Sequence, residues 1–157
     1  MALKIIKKSK PTATLSEYLL GIDFGSTNIG LSLGKNGLVM PLRSISGKNE
    51  VAAIDEINRT AIENKVTKFV LGLPLNAGDK ETVQSLNVRR FAKLLKIHSK
   101  RQVIFQNEFG TTSDVEHNTD ELTDTYMRGN QPTDHLSAAL ILRKYYDSIA
   151  PAKKTKH

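Results

Sequence analysis

Residues 19–30 form the segment Leu19-Leu20-Gly21-Ile22-Asp23-Phe24-Gly25-Ser26-Thr27-Asn28-Ile29-Gly30. Its apolar first half predicts a buried strand that ends on a single aspartate. The small residues that follow predict a reversal of the chain and then a second strand. An acid at the end of a strand, beside small residues, leaves room for a metal ion or a phosphate group. The function of this segment therefore depends on which residues meet Asp23.

The bulk composition predicts one soluble globular domain. The chain has 157 residues, of which 39% are hydrophobic and 25% charged, values typical of a single folded domain. The sequence contains no cysteine, which excludes disulfides, thiolate metal sites and cysteine nucleophiles. No apolar run approaches the roughly 20 residues that span a bilayer, so we expect no membrane partner.

The positive charge lies at the two ends of the chain. The net charge is +7, and residues 1–16 hold four lysines while residues 148–157 hold three, with no acid in either segment. Residues 17–147 therefore carry 16 basic and 16 acidic side chains and are neutral overall. Short basic ends act as solubilising arms and can add salt-sensitive contacts to phosphates.

This charge pattern sets the predicted domain boundaries. We expect a basic N-terminal arm at residues 1–17, one domain at residues 18–149 and a basic tail at residues 150–157. The acid-free, basic N-terminus also resembles a mitochondrial or plastid targeting peptide. It is not followed by the apolar segment of a secretory signal. We expect a cytoplasmic protein, with a mitochondrial or plastid location as the alternative.

Apolar periodicity and turn signals predict an α/β domain with a mixed sheet. Asn36-Gly37 is a strong two-residue hairpin signal between the second and third strands. The apolar run Phe-Val-Leu-Gly-Leu at residues 69–73 is typical of a parallel strand buried on both faces. Strands are predicted at residues 19–24, 29–33, 38–45, 68–73 and 102–106, and helices at residues 50–64, 81–99 and 114–127 and from residue 134.

Three acids are expected at one edge of this sheet. Asp23 ends the first strand, Glu108 ends the last, and Asp134 opens the final helix. Open α/β sheets place their chemistry at the C-terminal ends of parallel strands. Carboxylates without cysteine or clustered histidine favour hard cations, here two ions of Mg²⁺ or Mn²⁺, which together form a general device for phosphodiester cleavage. We predict these three acids as the catalytic and metal-binding residues.

Each of the three acids also has a purely structural interpretation. Asp23 could accept backbone N–H groups within the turn that follows it. Glu108 could be an exposed acid at a strand end. Asp134 could complement the dipole of the helix that it opens. Spacing alone does not decide between these interpretations and a metal site.

Five segments, in chain order, resemble the YqgF (RuvX) family of ribonuclease H-like proteins. Together they extend over residues 19–147, nearly the whole predicted domain. They are residues 21–30 (Gly-Ile-Asp-Phe-Gly-Ser-Thr-Asn-Ile-Gly), 70–76 (Val-Leu-Gly-Leu-Pro-Leu-Asn), 88–92 (Val-Arg-Arg-Phe-Ala), 107–112 (Asn-Glu-Phe-Gly-Thr-Thr) and 134–142 (Asp-His-Leu-Ser-Ala-Ala-Leu-Ile-Leu).

The resemblance implies a ribonuclease H-like fold, with a five-stranded sheet of order 3-2-1-4-5 flanked by helices. It implies a nuclease similar to Holliday junction resolvases, assigned in bacteria to processing the 5′ end of the small-subunit rRNA precursor. It also implies that the three acids above bind the metal. The expected partners are structured RNA or branched DNA and a pre-ribosomal particle, with the protein a monomer or homodimer. The expected substrate contacts are Ser26, Thr27, Asn76, Arg89, Arg90, Asn107 and Thr111.

The segment at residues 107–110 departs from the family pattern. The family's aspartate, arginine and leucine around the glutamate are Asn107, Phe109 and Gly110 here. Asparagine is not an anionic metal ligand, and loss of the arginine removes a bidentate phosphate clamp. A catalytically weakened nucleic-acid-binding module in ribosome assembly is therefore the alternative function.

A third function is an ATP-binding module of the actin and sugar-kinase type. Residues 21–28 also resemble the first phosphate loop of that superfamily. Such ATPases need two related domains and a second phosphate loop. The sequence contains no second Asp-Gly-Gly-rich loop, so its length argues against this function.

Overall fold

The computed structural model describes residues 16–108 and 134–150. The predicted order of elements is confirmed within those ranges. The predicted helix at residues 114–127 lies outside the described residues, as does most of the predicted arm and tail. The elements are β1 (Tyr18–Phe24), β2 (Asn28–Lys35), β3 (Leu38–Ser46), α1 (Glu50–Glu63), β4 (Val66–Leu73), α2 (Val83–Ser99), β5 (Gln102–Asn107) and α3 (Asp134–Ile149).

The five strands form one mixed sheet of order β3-β2-β1-β4-β5, which confirms the expected topology. The first three strands are antiparallel neighbours, and β4 and β5 run parallel to β1. The hairpin between β2 and β3 turns at Asn36 and Gly37, whose φ angles of 54° and 79° suit these residue types. Because β1 is central, its C-terminal end brings Asp23 to the middle of one sheet edge.

One face of the sheet packs against α1 and α2. Phe69 and Phe91 are the largest fully buried side chains of this core. Apolar spacing in the sequence predicts that Val51 and Ile62 lie on the inner face of α1, and this is wrong, since they are 66% and 67% exposed. The helix instead buries small and branched residues one turn apart, including Ala53 and Ile57. Because small side chains such as Ala53 and Ala61 are on its buried face, α1 can lie close to the sheet.

The opposite face packs against α3 through small residues. A Cβ atom on Gly21 would lie 2.6 Å from Leu142 Cγ and 2.8 Å from the Ala138 carbonyl oxygen. The buried Ser32 hydroxyl donates a 2.7 Å hydrogen bond to that same carbonyl. Hence α3 rests almost on the sheet backbone, and its first residue is held at the sheet edge that carries Asp23. In the described ranges, no helix has the length and apolar character needed to cross a membrane.

Candidate active site

Asp23 and Asp134 are brought together by a glycine. Asp23 pairs with Gly30 across the antiparallel β1–β2 ladder. A Cβ atom on Gly30 would collide with the main-chain carbonyl of Asp134 and lie 2.8 Å from the backbone nitrogen of His135. The first turn of α3 therefore occupies the space that a side chain at residue 30 would fill. This contact places Asp134 next to the strand position that carries Asp23.

Glu108 reaches Asp23 from the other side, again over a glycine. Its backbone N–H donates a 3.1 Å hydrogen bond to the carbonyl of Leu73, which continues the β4–β5 ladder by one residue. A Cβ atom on Gly72 would lie 2.5 Å from Glu108 Oε1. Since Ile22 pairs with Leu71 in the parallel β1–β4 ladder, Gly72 follows at the level of Asp23. Asp23 is thus flanked by two glycines, and each makes room for one further acid.

The electrostatics agree with this arrangement. Burial, and then the negative charge of Asp134, raise the pKa of Asp23 from 3.8 to about 6. Burial, and then the charge of Asp23, raise the pKa of Glu108 from 4.5 to about 7. Asp23 therefore interacts with each of the other two acids. Among residues 16–108 and 134–150, no group of three or more histidines and acids is arranged to hold a metal ion.

Lys144 is a neighbour of the acids that the sequence analysis missed. Its positive charge lowers the pKa of Glu108, against the larger effects of burial and Asp23. Lys144 is one helical turn beyond Ile141, whose side chain lies over Gly72. The sequence signal for this position is the helical spacing from Ile141, which becomes useful only when the rotation of α3 is known.

Asn107 connects β5 to the loop between β4 and α2. Its side-chain Nδ2 donates a 2.8 Å hydrogen bond to Asp79 Oδ1. The loop is closed by a bridge in which the backbone N–H of Asn76 donates to the carbonyl of Lys80 at 2.9 Å. The exposed Asn76 and the half-buried Asn107 thus belong to one loop assembly beside Glu108. Their predicted contacts with substrate stay predictions.

The two arginines of α2 point to different neighbours. Arg90 Nη1 donates to Glu50 Oε2 at 3.1 Å. Arg89 Nε donates to Glu81 Oε1 at 2.7 Å, and its guanidinium lies 5.1 Å from the ring centre of Phe105. Of these two predicted substrate contacts, it is Arg90 that lines a cavity together with Phe24 and Ser26 at the loop after β1.

Of the other predicted contacts, Ser26 and Thr27 are exposed on the loop after β1, beside Asp23. The carbonyl of Thr27 accepts a 2.8 Å hydrogen bond from the backbone N–H of Gly47, which ties that loop to the end of β3. Ser26 and Arg90 line the same cavity. Thr111 lies outside the described residues.

Comparison with known sequences finds one family over nearly the whole chain. The family model described as "RuvX: Holliday junction resolvase" matches residues 17–148. A protein of Nitrosospira multiformis named "Putative pre-16S rRNA nuclease" is 32% identical over 143 residues, which are 90% of this chain and 93% of that protein. A protein of the same name from Aeromonas salmonicida is 30% identical over 134 residues, 84% of this chain and 96% of that protein.

Comparison with solved structures finds the same fold in two resolvases. Thermus thermophilus RuvC, solved with a Holliday junction substrate, has a TM-score of 0.55 at 10% identity and covers 84% of this chain and 95% of its own. Fowlpox virus resolvase, solved with Holliday junction DNA, has a TM-score of 0.53 at 14% identity, over 85% of this chain and 99% of its own. At such identities the likeness concerns the fold.

Proposed function

Because the chain belongs to the RuvX family, we propose that it is a metal-dependent nuclease that hydrolyses phosphodiester bonds in structured nucleic acid. The observation that carries this proposal is the position of Asp23 between Asp134 and Glu108 at the central edge of the sheet. The glycines beneath these acids are not needed for a solvent-exposed strand end. They make room for Asp134 and for Glu108 to approach Asp23 from its two sides.

The donor set fits a divalent metal. Carboxylate oxygens are the ligands that Mg²⁺ and Mn²⁺ prefer. Burial, and then the charge of a neighbouring acid, raise the pKa of Asp23 and the pKa of Glu108, and a bound cation would offset both effects. Asp23, Glu108 and Asp134 would hold the metal. Asp23 interacts with Asp134 on one side and with Glu108 on the other. When bound, ions of this kind activate water and neutralise charge that develops on the phosphate.

The chain's own residues would orient the substrate around these acids. Lys144 supplies a fixed positive charge near Glu108, where a phosphate must approach negative carboxylates. The loop held by the hydrogen bond between Asn107 and Asp79 stands beside the same acid. Ser26 and Thr27 offer exposed hydroxyl groups on the loop that follows β1 and Asp23.

We take the 5′ end of the small-subunit rRNA precursor as the first substrate to test, because the similar bacterial proteins are named for that RNA. A four-way DNA junction is the second, because the matching family model is described as a resolvase. The experiment incubates the protein with each labelled substrate, with and without Mn²⁺. Metal-dependent cleavage of the rRNA precursor at its 5′ end supports the proposal. No cleavage of either substrate with any divalent metal contradicts it.

A second candidate function is binding without cleavage, as an assembly factor of the ribosome. The observation in its favour is that Asn107 is engaged by the loop residue Asp79, and that a closed set of three metal ligands is not found among the described residues. Binding of the rRNA precursor in the presence of a chelator, together with no cleavage by any metal, would distinguish this function from the first.

A further inference from the structure

Helix α2 and the two residues after it concentrate positive charge. Residues 83–101 contain six of the 16 basic side chains of residues 17–147, and no acid. The other residues of that range therefore carry ten basic and 16 acidic side chains. The domain is neutral as a whole, but its charges are separated, with one strongly basic helix on a body that is otherwise acidic.

Four of these cations form a row along the helix. Arg89, Lys93 and Lys96 follow the i, i+4, i+7 spacing that aligns side chains on one helical face, and Lys100 is the C-cap residue of the same helix. All four are exposed. Neighbouring members are separated by about 4.5 to 6 Å along the helix axis, so the row is about 16 Å long. We call these four residues the α2 basic stripe.

The stripe runs away from the sheet edge that holds the three acids. Near the start of α2, Gln84 Nε2 donates a 3.4 Å hydrogen bond to the carbonyl of Phe24, the last residue of β1. Just after the end of α2, Arg101 Nε donates a 2.9 Å hydrogen bond to the carbonyl of Val66, the first residue of β4. The helix therefore extends from the edge with the acids to the opposite edge of the sheet.

Three lysines of the stripe are available to a partner. Arg89 is paired with Glu81. No hydrogen bond or ion pair joins the side chain of Lys93, Lys96 or Lys100 to another residue within the ranges 16–108 and 134–150. Cations in the last turn stabilise a helix through its dipole, which accounts for Lys96 and Lys100. The dipole does not account for Lys93, which lies near the middle of α2.

Resting on the proposed function for its choice of ligand, we propose that the α2 basic stripe binds the phosphate backbone of a duplex arm of the substrate, beside the bond to be cleaved. The three acids repel phosphates when no metal neutralises them, so a separate positive surface is needed to hold a polyanion. The length of the stripe matches about five base-pair steps of one strand, at about 3.4 Å per step. Such contacts position a substrate without reading its sequence.

The test measures binding, in EDTA, of a labelled RNA duplex of about ten base pairs, which is twice the length of the stripe. The double variant Lys93→Gln with Lys100→Gln is compared with the control Arg59→Gln with Lys65→Gln. Each pair removes one exposed cation from inside a helix and one from an exposed residue with a φ angle of 56° just after that helix. The change in net charge and the type of backbone position are therefore matched.

The dependence of the dissociation constant on salt concentration counts the contacts to phosphate. We expect the slope of log Kd against log salt to fall by about 1.8 in the Lys93 and Lys100 glutamine variant, and its Kd at about 50 mM salt to rise about 10-fold. The α1 control should keep the slope of the parent. Lys93→Arg with Lys100→Arg should also bind like the parent, because the stripe supplies charge. Equal slopes in the two glutamine variants overturn the proposal.

An anionic membrane surface is the other polyanion that a basic helix can meet. Cosedimentation with vesicles of equal parts phosphatidylserine and phosphatidylcholine distinguishes it. The proposal is overturned if the Lys93 and Lys100 glutamine variant loses vesicle binding but keeps the parent's affinity for the duplex. No metal and no cleavage enter either measurement, so a failure here is distinct from a failure of the proposed nuclease activity.

Discussion

Asp23 pairs with Gly30 across the β1–β2 ladder, and the place of the missing side chain at residue 30 is taken by the backbone of Asp134. One glycine thus couples the packing of α3 to the position of an acid. On the other flank of Asp23, Gly72 has the corresponding relationship to the Glu108 side chain. The site therefore depends on the absence of side chains at Gly30 and Gly72 as much as on the presence of the three acids.

The first prediction concerns Gly30→Ala. The new methyl group would collide with the Asp134 carbonyl, so α3 must move away from the sheet, and we expect a loss of about 1–3 kcal/mol in the free energy of unfolding together with reduced cleavage. Urea denaturation measures the first effect. The control is Gly37→Ala in the hairpin, where a Cβ atom meets nothing within 4 Å but φ is +79°. That variant should lose about 1 kcal/mol from strain and cleave normally. Normal cleavage by Gly30→Ala would contradict the coupling.

The second prediction concerns pH. The pKa of Glu108 is raised in the folded protein from 4.5 to about 7. Between pH 4.5 and about 7 the Glu108 carboxyl is ionised in the unfolded chain but still protonated in the folded protein. The folded state therefore binds more protons, and the free energy of unfolding falls as pH rises. Glu108→Gln removes this dependence, and without metal it should be more stable than the parent by about 1–2 kcal/mol at pH 8, after allowance for partial exposure, and by much less at pH 5.

Urea denaturation in EDTA at the two pH values measures this difference. The control is Glu63→Gln, which changes an exposed acid at the end of α1. It should alter stability little and equally at both pH values. A Glu108→Gln protein with the same gain at pH 5 and pH 8 would show that residue 108 is not proton-linked to folding.

The third prediction concerns Asn107→Asp, which introduces the residue that the family pattern has before the glutamate. The change replaces a 2.8 Å hydrogen bond to Asp79 by repulsion between two carboxylates. We expect a loss of about 1 kcal/mol of stability and faster proteolysis of the loop at residues 74–82. The double variant Asn107→Asp with Asp79→Asn exchanges donor and acceptor and should recover the loss. Additive effects of the two changes would mean that the pair does not interact.

The fourth prediction concerns metal binding. Mg²⁺ that binds the folded protein at the three acids must stabilise it, by about 1.4 kcal/mol at ten times the dissociation constant. We expect the melting temperature to rise with Mg²⁺ in the parent and in Asp55→Asn, an exposed aspartate on α1, but not in Asp134→Asn. An equal rise in all three proteins would locate the metal elsewhere.

Local patterns in the sequence were enough to predict the strands and helices of the described residues and, approximately, where each begins and ends. The strand that carries Asp23 and the start of α3 at Asp134 follow from apolar periodicity, and the topology from a family resemblance. The rotation of helices was less predictable. Val83 of α2 fits the apolar helical spacing of the sequence but is 80% exposed. Packing against the sheet, and not spacing alone, decides which face of a helix is buried.

The parts of the site that depend on register were not predictable. Gly30 and Gly72 are ordinary strand glycines until the ladders place them on either side of Asp23. The hydrogen bond between Asn107 and Asp79 joins residues 28 positions apart. The cavity that Ser26 and Arg90 line is formed by the loop after β1, the start of α1 and the first half of α2, and no local sequence pattern predicts that these segments meet.

The most direct test of the central claim compares cleavage by the parent, Asp23→Asn and Asp55→Asn proteins on the labelled rRNA precursor in Mn²⁺. Loss of one essential carboxylate removes several kcal/mol of transition-state stabilisation, so the Asp23→Asn rate should fall by at least about 100-fold while the folded structure, checked by circular dichroism, is kept. The Asp55→Asn protein should cleave like the parent. Cleavage by Asp23→Asn at the parent rate would contradict the assignment of Asp23 as the centre of the active site.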